Sequence, residues 1–462
     1  MHRKARRLKM ICKQPAEHKL LAESELCILL DTFMYLNYHE AKEGQALTSI
    51  LQDLAGHPDY REGGSYHGEY TILQQAAAEY PQLGRLRISC QSWQGNYDPG
   101  TNACTFEDKQ GTYYIVYRGT GDGEWMDNAV GLSAKVTNQQ KQALQYYNDV
   151  VNEKSLKDSR RVVITGHSKG GNKAQFVTME EKQSLISRCY SIDGQGFSPE
   201  AINCWQQQYT PAEYQDRIHK LYGIAGENDY VHVLGRSLIP DDQMRYVSTP
   251  AAGMNLAGYH DIKYLYAGRN DRGEVNFSGE RNPYVMKQGA LAAYASDLSG
   301  KIMLLSAERR LGCAMSMMQV MELGGERKWG LNGEKMHLND FYAFLTFGLP
   351  TIAVSLLGQS RKTDLLKLIS GKVAPEGRLL VDTQELQAAG RHLIQIRNKM
   401  QALINEAEQI KKEMRKSVKG NTGIDRKLTR IMNDMIFALT YINGLSHLLQ
   451  EIIICYQQCE AG

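Results

Sequence analysis

Residues 166–170 read Gly-His-Ser-Lys-Gly, a G-x-S-x-G pattern between a β-branched run and a helical pattern. A sharp turn from strand to helix strains the central residue, and side chains two positions before and after it would collide. Glycine at both positions removes that collision. Although 42 glycines make a chance match a real alternative, the flanking strand and helix favour a nucleophile elbow. The pattern therefore predicts that Ser168 is a nucleophile held at the end of a sheet.

A serine hydroxyl needs a base to accept its proton and an acid to orient that base. Six histidines follow the elbow: His219, His232, His260, His337, His392 and His447. His260 lies in a Gly-containing loop beyond the last predicted strand, where the base of such a site is expected. His232 is the alternative base, although it lies only three residues from the acid favoured below.

Two aspartates compete for the role of the acid. Asp193 follows the first predicted strand after the elbow, and Asp229 follows the second. The usual position of the acid favours Asp229, with Glu227 as the weaker neighbour. Asp193 has an alternative role, which is to hold a loop beside the nucleophile.

Acyl transfer also requires donors aimed at the oxyanion that develops on the substrate. The backbone N–H of Lys169, the residue after the nucleophile, is the first expected donor. Arg118-Gly119-Thr120 ends an early strand, and its glycine allows close backbone approach, so the N–H of Thr120 is the second. Arg118 is either a supporting residue or a surface charge. This chemistry requires neither a metal nor a cofactor.

The elements around these residues predict a mostly parallel α/β sheet, because strands alternate with helices. The turn at 107–111 predicts a hairpin. Strands are predicted at 87–91, 103–106, 112–117 and 162–165 and within 189–197, 219–231 and 244–250, and helices at 16–38, 71–80 and 136–151.

Strand patterns are not recognised beyond about residue 270, and a Met- and Leu-rich helix is predicted at 298–323. Residues 341–358 carry no charge over 18 residues, the lower limit of transmembrane length. Pro350 and two glycines interrupt this run, which favours a buried kinked helix or helix pair over a membrane-inserting element. After a linker, heptad spacing at 386–414 and 424–456 predicts two long helices in an antiparallel hairpin. The second helix has surplus apolar positions, so it needs the 298–370 helices or a separate helical partner.

Composition excludes several other classes of function. The net charge of +3 gives no case for nucleic-acid binding. Nine scattered cysteines without a C-x-x-C pair indicate neither a zinc site nor a disulfide framework, and they predict folding in a reducing compartment. The basic N-terminus has no apolar run after it, so it is not a Sec-type signal peptide.

Two motifs carry a resemblance to known families. YIVYRGT together with GHSKGGNKA resembles the lipase-like α/β-hydrolases of the class 3 type, and GHSKGGN with DGQGF resembles a bacterial lipase-like family with a DGPGF motif. Gln195 stands where that family often has proline. The resemblance covers about residues 16–270. The C-terminal hairpin resembles the WXG/LXG modules of type VII secretion; it lacks a W-x-G turn, but Tyr456 and Glu460 form a Y-x-x-x-E match to the export tag.

The resemblance implies three regions: a lipase-like α/β-hydrolase domain at 1–270, a helical connection at 271–375 and an LXG/WXG-like hairpin at 376–462. It also implies a secreted serine lipase or phospholipase A without a cleavable signal peptide, arranged like the reverse-arranged type VII lipase toxins. Its expected partners are membrane phospholipid at a target cell, small helical WXG-like proteins and, as a further candidate, an immunity protein. Two alternatives stay open: a non-catalytic scaffold on a decayed hydrolase fold, and a thioesterase or peptidase on the same elbow.

Overall fold

The protein is described by a computed structural model. The described residues are 21–307 apart from 96, 98, 122–123, 157–160, 251–255 and 272–273, then short pieces between 310 and 335, and the helix at 383–417. The apolar segment 341–358 and the second helix of the expected hairpin lie outside the described residues.

An eight-stranded sheet forms the centre of the molecule, in the order β1-β2-β3-β4-β5-β6-β7-β10. Strands β3 to β7 are parallel neighbours, whereas β1, β2 and β10 pair in antiparallel fashion at the edges. Its strands are β1 Arg87–Gln91, β2 Ala103–Glu107, β3 Thr112–Tyr117, β4 Arg161–His167, β5 Ile186–Ile192, β6 Leu221–Gly226, β7 Met244–Val247 and β10 Tyr284–Val285. Two small hairpins add β8 Ala267–Arg269 with β9 Val275–Phe277, and β11 Lys328–Trp329 with β12 Glu334–Lys335. The predicted mostly parallel α/β sheet and the hairpin of β2 and β3 are confirmed.

Helices lie on both faces of this sheet. The helices whose bounds the structure describes are α1 Glu23–Phe33, α2 Leu47–Leu54, α3 His67–Glu79, α4 Pro81–Gly84, α5 Trp125–Gly131, α6 Asn138–Glu153, α7 Lys169–Glu180, α8 Pro199–Gln208, α9 Pro211–Ile218, α10 Ala290–Met303 and α11 Thr383–Ser417. Alternate residues of the central strands enter opposite cores: Val163 packs with α1 to α3, whereas Val162 and Ile164 pack with α6 to α8. Burial on both faces explains why these strands read as continuous apolar runs.

The sheet continues past residue 270, which corrects the expectation that strands end there. Strand β10 pairs with β7, and β9 pairs with β8. Strands β9 and β10 are two or three residues long and largely exposed, so they lack the apolar alternation that identifies a strand. The single helix predicted at 298–323 is also wrong, because α10 begins at Ala290 and a turn interrupts the helix at 304–306.

The parallel strands place their carboxyl ends at one edge of the sheet, which is where α/β proteins build their sites. The turn at 118–120 follows β3, Ser168 follows β4, Asp193 follows β5 and Asp229 follows β6. His260 ends a short 3₁₀ segment, Leu256–His260, beyond β7. Within the part of the chain that the structure describes, no helix combines the length and the apolar character needed to cross a membrane.

Candidate active site

Ser168 occupies a strained turn between β4 and α7. Its backbone lies at φ 59° and ψ −125°, and its N–H donates to the carbonyl of Ile192 at 2.8 Å. A Cβ added to Gly166 would lie 2.2 Å from the carbonyl carbon of Gly170, and one added to Gly170 would lie 2.0 Å from the carbonyl oxygen of Tyr117. The predicted strand, turn and helix are therefore confirmed, and the structure shows which atoms make both glycines necessary.

A chain of hydrogen bonds connects Ser168 to Asp229 through His260. The Oγ of Ser168 lies 2.7 Å from Nε2 of His260, and Nδ1 of His260 lies 2.7 Å from Oδ1 of Asp229. A carboxylate only accepts, so Nδ1 carries the ring proton and Nε2 is left as the acceptor for the serine hydroxyl. This arrangement allows His260 to take the proton of Ser168 while Asp229 stabilises the imidazolium.

Asp229 is fully buried, yet its surroundings hold it ionised. Its Oδ2 accepts the N–H of Val231 at 3.2 Å, the N–H of His232 at 2.7 Å and Nδ1–H of His232 at 2.9 Å. Burial opposes ionisation, but His260 and the hydrogen bonds from both histidines outweigh it and keep the pKa of Asp229 well below its usual range. The structure thus places His232, the alternative base, on the second oxygen of the acid.

Asp193 and Glu227, the other acidic candidates, make different contacts. The Oδ1 of Asp193 accepts the N–H of Gly226 at 2.8 Å. Burial, and then the negative charge of Asp229, raise the pKa of Asp193 well above its usual range, which favours its protonated form. Glu227 instead accepts from the hydroxyl of Ser248. Neither side chain is the partner of His260.

The only potential metal-ligand cluster among the described residues is Asp193, Asp229 and His232, whose ligand atoms lie within 4.8 Å of one another. The oxygens of Asp229 already accept from two histidines and two backbone N–H groups. This donor set is therefore engaged in internal hydrogen bonds.

The turn at 118–120 lies directly against the nucleophile. A Cβ added to Gly119 would lie 3.1 Å from Cβ of Ser168. The N–H of Thr120 and the N–H of Lys169 donate to no other described residue. The second of these is the first N–H of α7, one of the donors that a helix leaves unsatisfied. Both expected oxyanion donors are thus available beside Ser168.

Helix α5 anchors the side chains of both donor residues. The buried Nζ of Lys169 lies 2.8 Å from Oδ2 of Asp127, and Nδ2 of Asn128 donates to Oγ1 of Thr120 at 2.7 Å. Gln195 donates to the carbonyl of Asn128 at 3.0 Å. The lysine of the pentapeptide and the glutamine of DGQGF therefore fix loops around the site.

Arg118 packs its guanidinium over the ring of Tyr35, at 5.6 Å from the ring centroid. Its carbonyl accepts from Nζ of Lys173 at 3.2 Å, and the same Nζ donates to the carbonyl of Gly100 at 2.5 Å. Burial lowers the pKa of Lys173 to about 8. Arg118 thus supports the turn through its packing and its carbonyl.

Sequence reasoning missed two residues of the site and gave a third a different role. Tyr35 contacts His167, and His167 contacts the carbonyl of His260. His232, named as the alternative base, binds the acid. His167 stands inside the pentapeptide, so its position next to Ser168 was a visible signal. Tyr35 lies 132 residues away in the chain and carries no local signal of this contact.

Comparison with known proteins gives one match. A model of the family described as Mbeg1-like matches residues 87–231, from β1 to the loop of the acid. The matched region includes Ser168 and Asp229 and ends before His260. The chain is similar to that family over this region, and the description names no activity. No curated protein matches the chain.

Proposed function

We propose that this protein is a serine ester hydrolase of the lipase or phospholipase A class, built on an α/β-hydrolase fold. The observation that carries the proposal is the hydrogen-bonded chain of Ser168, His260 and Asp229. The N–H groups of Thr120 and Lys169 add the two donors that acyl transfer needs. A scaffold that had lost catalysis would need neither the hydrogen-bonded chain of Ser168, His260 and Asp229 nor the two oxyanion donors.

The first half of the proposed reaction forms an acyl-enzyme. The Oγ of Ser168 attacks the ester carbonyl carbon, and its proton passes to Nε2 of His260. The carbonyl electrons move onto the oxygen, where the N–H groups of Thr120 and Lys169 stabilise the charge. Collapse of this intermediate breaks the bond to the alcohol, which leaves with the proton from His260.

The second half releases the acid. Nε2 of His260 takes a proton from water, and the resulting hydroxide adds to the acyl carbonyl carbon. The same two N–H groups hold the second oxyanion. Collapse returns the proton to Oγ of Ser168 and frees the carboxylic acid. Asp229 remains ionised throughout and stabilises His260 when it is charged.

Membrane lipid is the proposed source of the ester. The resemblance to lipase-like proteins favours it, and an apolar cluster beside the site supports it. Tyr230 lies with its ring centroid 6.1 Å from that of His260, and it packs against a cluster that includes Val231, Leu234 and Met303. The partly buried ring of Tyr230 thus gives this side of the site an apolar surface, which suits an acyl chain better than a polar peptide backbone.

Labelling with a fluorophosphonate probe tests the nucleophile. The probe should label wild-type protein but not Ser168→Ala. The control is Ser187→Ala, which should also be labelled, because Ser187 is an exposed serine at the opposite end of β5 from the site. Absence of labelling that depends on Ser168 would favour the non-catalytic scaffold.

A substrate panel then separates the remaining alternatives. Phospholipid liposomes, a thioester and a peptide are each incubated with wild type and Ser168→Ala, and products are identified by mass spectrometry. Release of fatty acid and lysophospholipid supports the proposal. Turnover restricted to the thioester or the peptide would assign the other activities.

We further propose that residues 376–462 bind small helical partners and carry the enzyme out by type VII secretion, to act as a toxin at a target membrane. The 35-residue helix α11 provides one of the two helices of the expected hairpin, and the second lies outside the described residues. A truncation lacking 376–462 should lose both the partners and export. Co-purification of that truncation with the same partners would refute this role. If a candidate protein made in the target cell protects that cell from the toxin, it is an immunity partner.

A further inference from the structure

His167 makes three contacts with the base and its surroundings. Its Nε2 lies 3.0 Å from the carbonyl oxygen of His260, and its ring stacks on the ring of His260 with centroids 4.9 Å apart and planes at 27°. Its Nδ1 lies 2.6 Å from the hydroxyl of Tyr35. The side chain is almost fully buried, at 4 % exposure. One imidazole therefore holds both the backbone and the ring of the residue that takes the proton of Ser168.

The partners of His167 fix its tautomer. A carbonyl oxygen only accepts, so Nε2 of His167 carries the proton. In the neutral ring Nδ1 then accepts from the hydroxyl of Tyr35. Oδ2 of Asp193 also lies 3.7 Å from this Nε2.

Tyr35 joins this arrangement to the oxyanion turn. Its ring meets the ring of His167 edge-on, with centroids 5.3 Å apart. A Cβ added to Gly119 would lie 2.4 Å from the hydroxyl oxygen of Tyr35. The hydroxyl of Tyr35 thus lies between His167 and the turn that carries Thr120. Tyr35, which follows α1, therefore contacts both the histidine beside the base and the oxyanion turn.

We propose that His167, fixed by Tyr35, is a positioning residue for the base. It holds the ring of His260 in the plane that joins Ser168 to Asp229. The role rests on the proposed function, in which His260 is the base. His167 itself transfers no proton to the substrate.

Kinetics of the full-length protein with a soluble short-chain p-nitrophenyl ester provide the first test. His167→Phe keeps a ring for stacking but loses both hydrogen bonds, and we expect kcat to fall about 10²-fold, the size of effect that a small misplacement produces. KM should stay within about twofold, because the base acts after binding. Tyr35→Phe removes one hydroxyl, and we expect a loss of about fivefold. His167→Gln can still donate to the carbonyl of His260 and should recover part of kcat.

Two matched controls lie away from the site. His219→Phe changes an exposed histidine after α9, and Tyr209→Phe removes a hydroxyl that donates to the carbonyl of Met179. Both should keep the wild-type kcat. If His167→Phe lowers the unfolding temperature but leaves kcat unchanged, His167 is only structural and the proposal is wrong.

A spectroscopic measurement tests the positioning without any turnover. In the ¹⁵N-histidine-labelled full chain, the proton between Nδ1 of His260 and Asp229 should give a downfield resonance that is absent in His260→Gln. We expect His167→Phe to broaden or remove it and His219→Phe to leave it unchanged. An unchanged resonance in His167→Phe overturns the proposal. If wild type shows no labelling by the fluorophosphonate but the resonance depends on His167, the proposed function fails and the positioning role stands.

Discussion

Two buried carboxyl groups at neighbouring strand ends have pKa values that are shifted in opposite directions. Asp229 accepts hydrogen bonds from His260 and His232 and is ionised. Asp193 has one backbone donor and a negative neighbour, and its pKa is raised above the usual range. Environments that separate the pKa values of adjacent acids assign their roles. Asp229 orients the base, whereas Asp193 supports Asp229 as a neutral donor.

Amide substitution at the two positions should therefore have very different effects on activity. Asp193→Asn keeps an acceptor for the N–H of Gly226 and a donor for Asp229, so we expect kcat/KM within about threefold of wild type. Asp229→Asn reverses the hydrogen bond to Nδ1 of His260 and favours the wrong tautomer, a change that lowers kcat about 10⁴-fold in a known serine triad. Hydrolysis of a soluble ester by both variants measures the contrast. Equal losses would contradict the assignment of a neutral Asp193.

The protonation of Asp193 also predicts how stability depends on pH. Because its folded pKa is raised, the folded state binds a proton that the unfolded state releases above about pH 4. Stability of wild type thus falls, through this group, as pH rises from that value towards the folded pKa. Asp193→Asn lacks this loss, so its unfolding temperature relative to that of wild type should rise as pH increases above about 4. A difference that does not change with pH would show that Asp193 is ionised in the fold.

Sequence patterns pointed to Ser168, Asp229 and His260, but not to the side chains that hold them in position. Ser168 follows β4, Asp229 follows β6 and His260 follows β7, and the carboxyl ends of these parallel strands lie at one edge, so local patterns sufficed. The pairing of Tyr35 with His167 depends on how α1 packs under the sheet, and no local pattern encodes that distance. The charge of Asp193 depends on burial and on Asp229, which become visible only once β5 and β6 are neighbours.

At the scale of elements, the site depends on how closely the end of β3 approaches the elbow. Gly170 lies against the carbonyl of Tyr117, and Gly119 lies against Ser168. Nζ of Lys173, in α7, donates a hydrogen bond to the carbonyl of Arg118. Glycines thus permit the approach, and a buried lysine fixes it.

We expect Gly119→Ala to disturb the oxyanion turn. The added Cβ would lie 2.4 Å from the Tyr35 hydroxyl and 3.0 Å from the carbonyl oxygen of His167, which belongs to the backbone and cannot rotate away. Displacement of the Thr120 N–H should lower kcat by about 10²- to 10³-fold, the cost of losing one oxyanion donor. Ester hydrolysis measures the effect. Gly56→Ala, whose Cβ would meet no atom within 4 Å, is the matched control and should behave like wild type.

Some strands and helices are encoded by local sequence patterns, whereas others form only through tertiary contacts. Strands β3 and β4 are buried on both faces, and their apolar runs made them visible in the sequence. Strand β10 has two residues and exists through its pairing with β7, so tertiary contact decides it. The break after α10 has the same explanation, because Ile302 and Met303 pack into a cluster with α5.

At the scale of the whole molecule, an apolar region adjoins one side of the site. Helix α10 packs Ile302 and Met303 against Ala129 of α5 and Val231 of the acid loop. The same helix and the residue after it expose Tyr294 and Leu304 to 71 % and 78 %. If the proposed substrate is bilayer lipid, these two exposed side chains are candidates for contact with the bilayer.

We therefore expect Tyr294→Ser combined with Leu304→Ser to reduce hydrolysis of liposomes about tenfold or more, because each side chain contributes apolar area to lipid binding. Hydrolysis of a soluble short-chain ester should be unchanged, since neither side chain belongs to the catalytic chain. Leu403→Ser, which replaces an exposed leucine of α11 outside this cluster, is the matched control and should keep both activities. Vesicle sedimentation measures binding separately from turnover. Equal losses on both substrates would assign α10 a structural role, and unchanged liposome hydrolysis would place lipid contact elsewhere on the molecule.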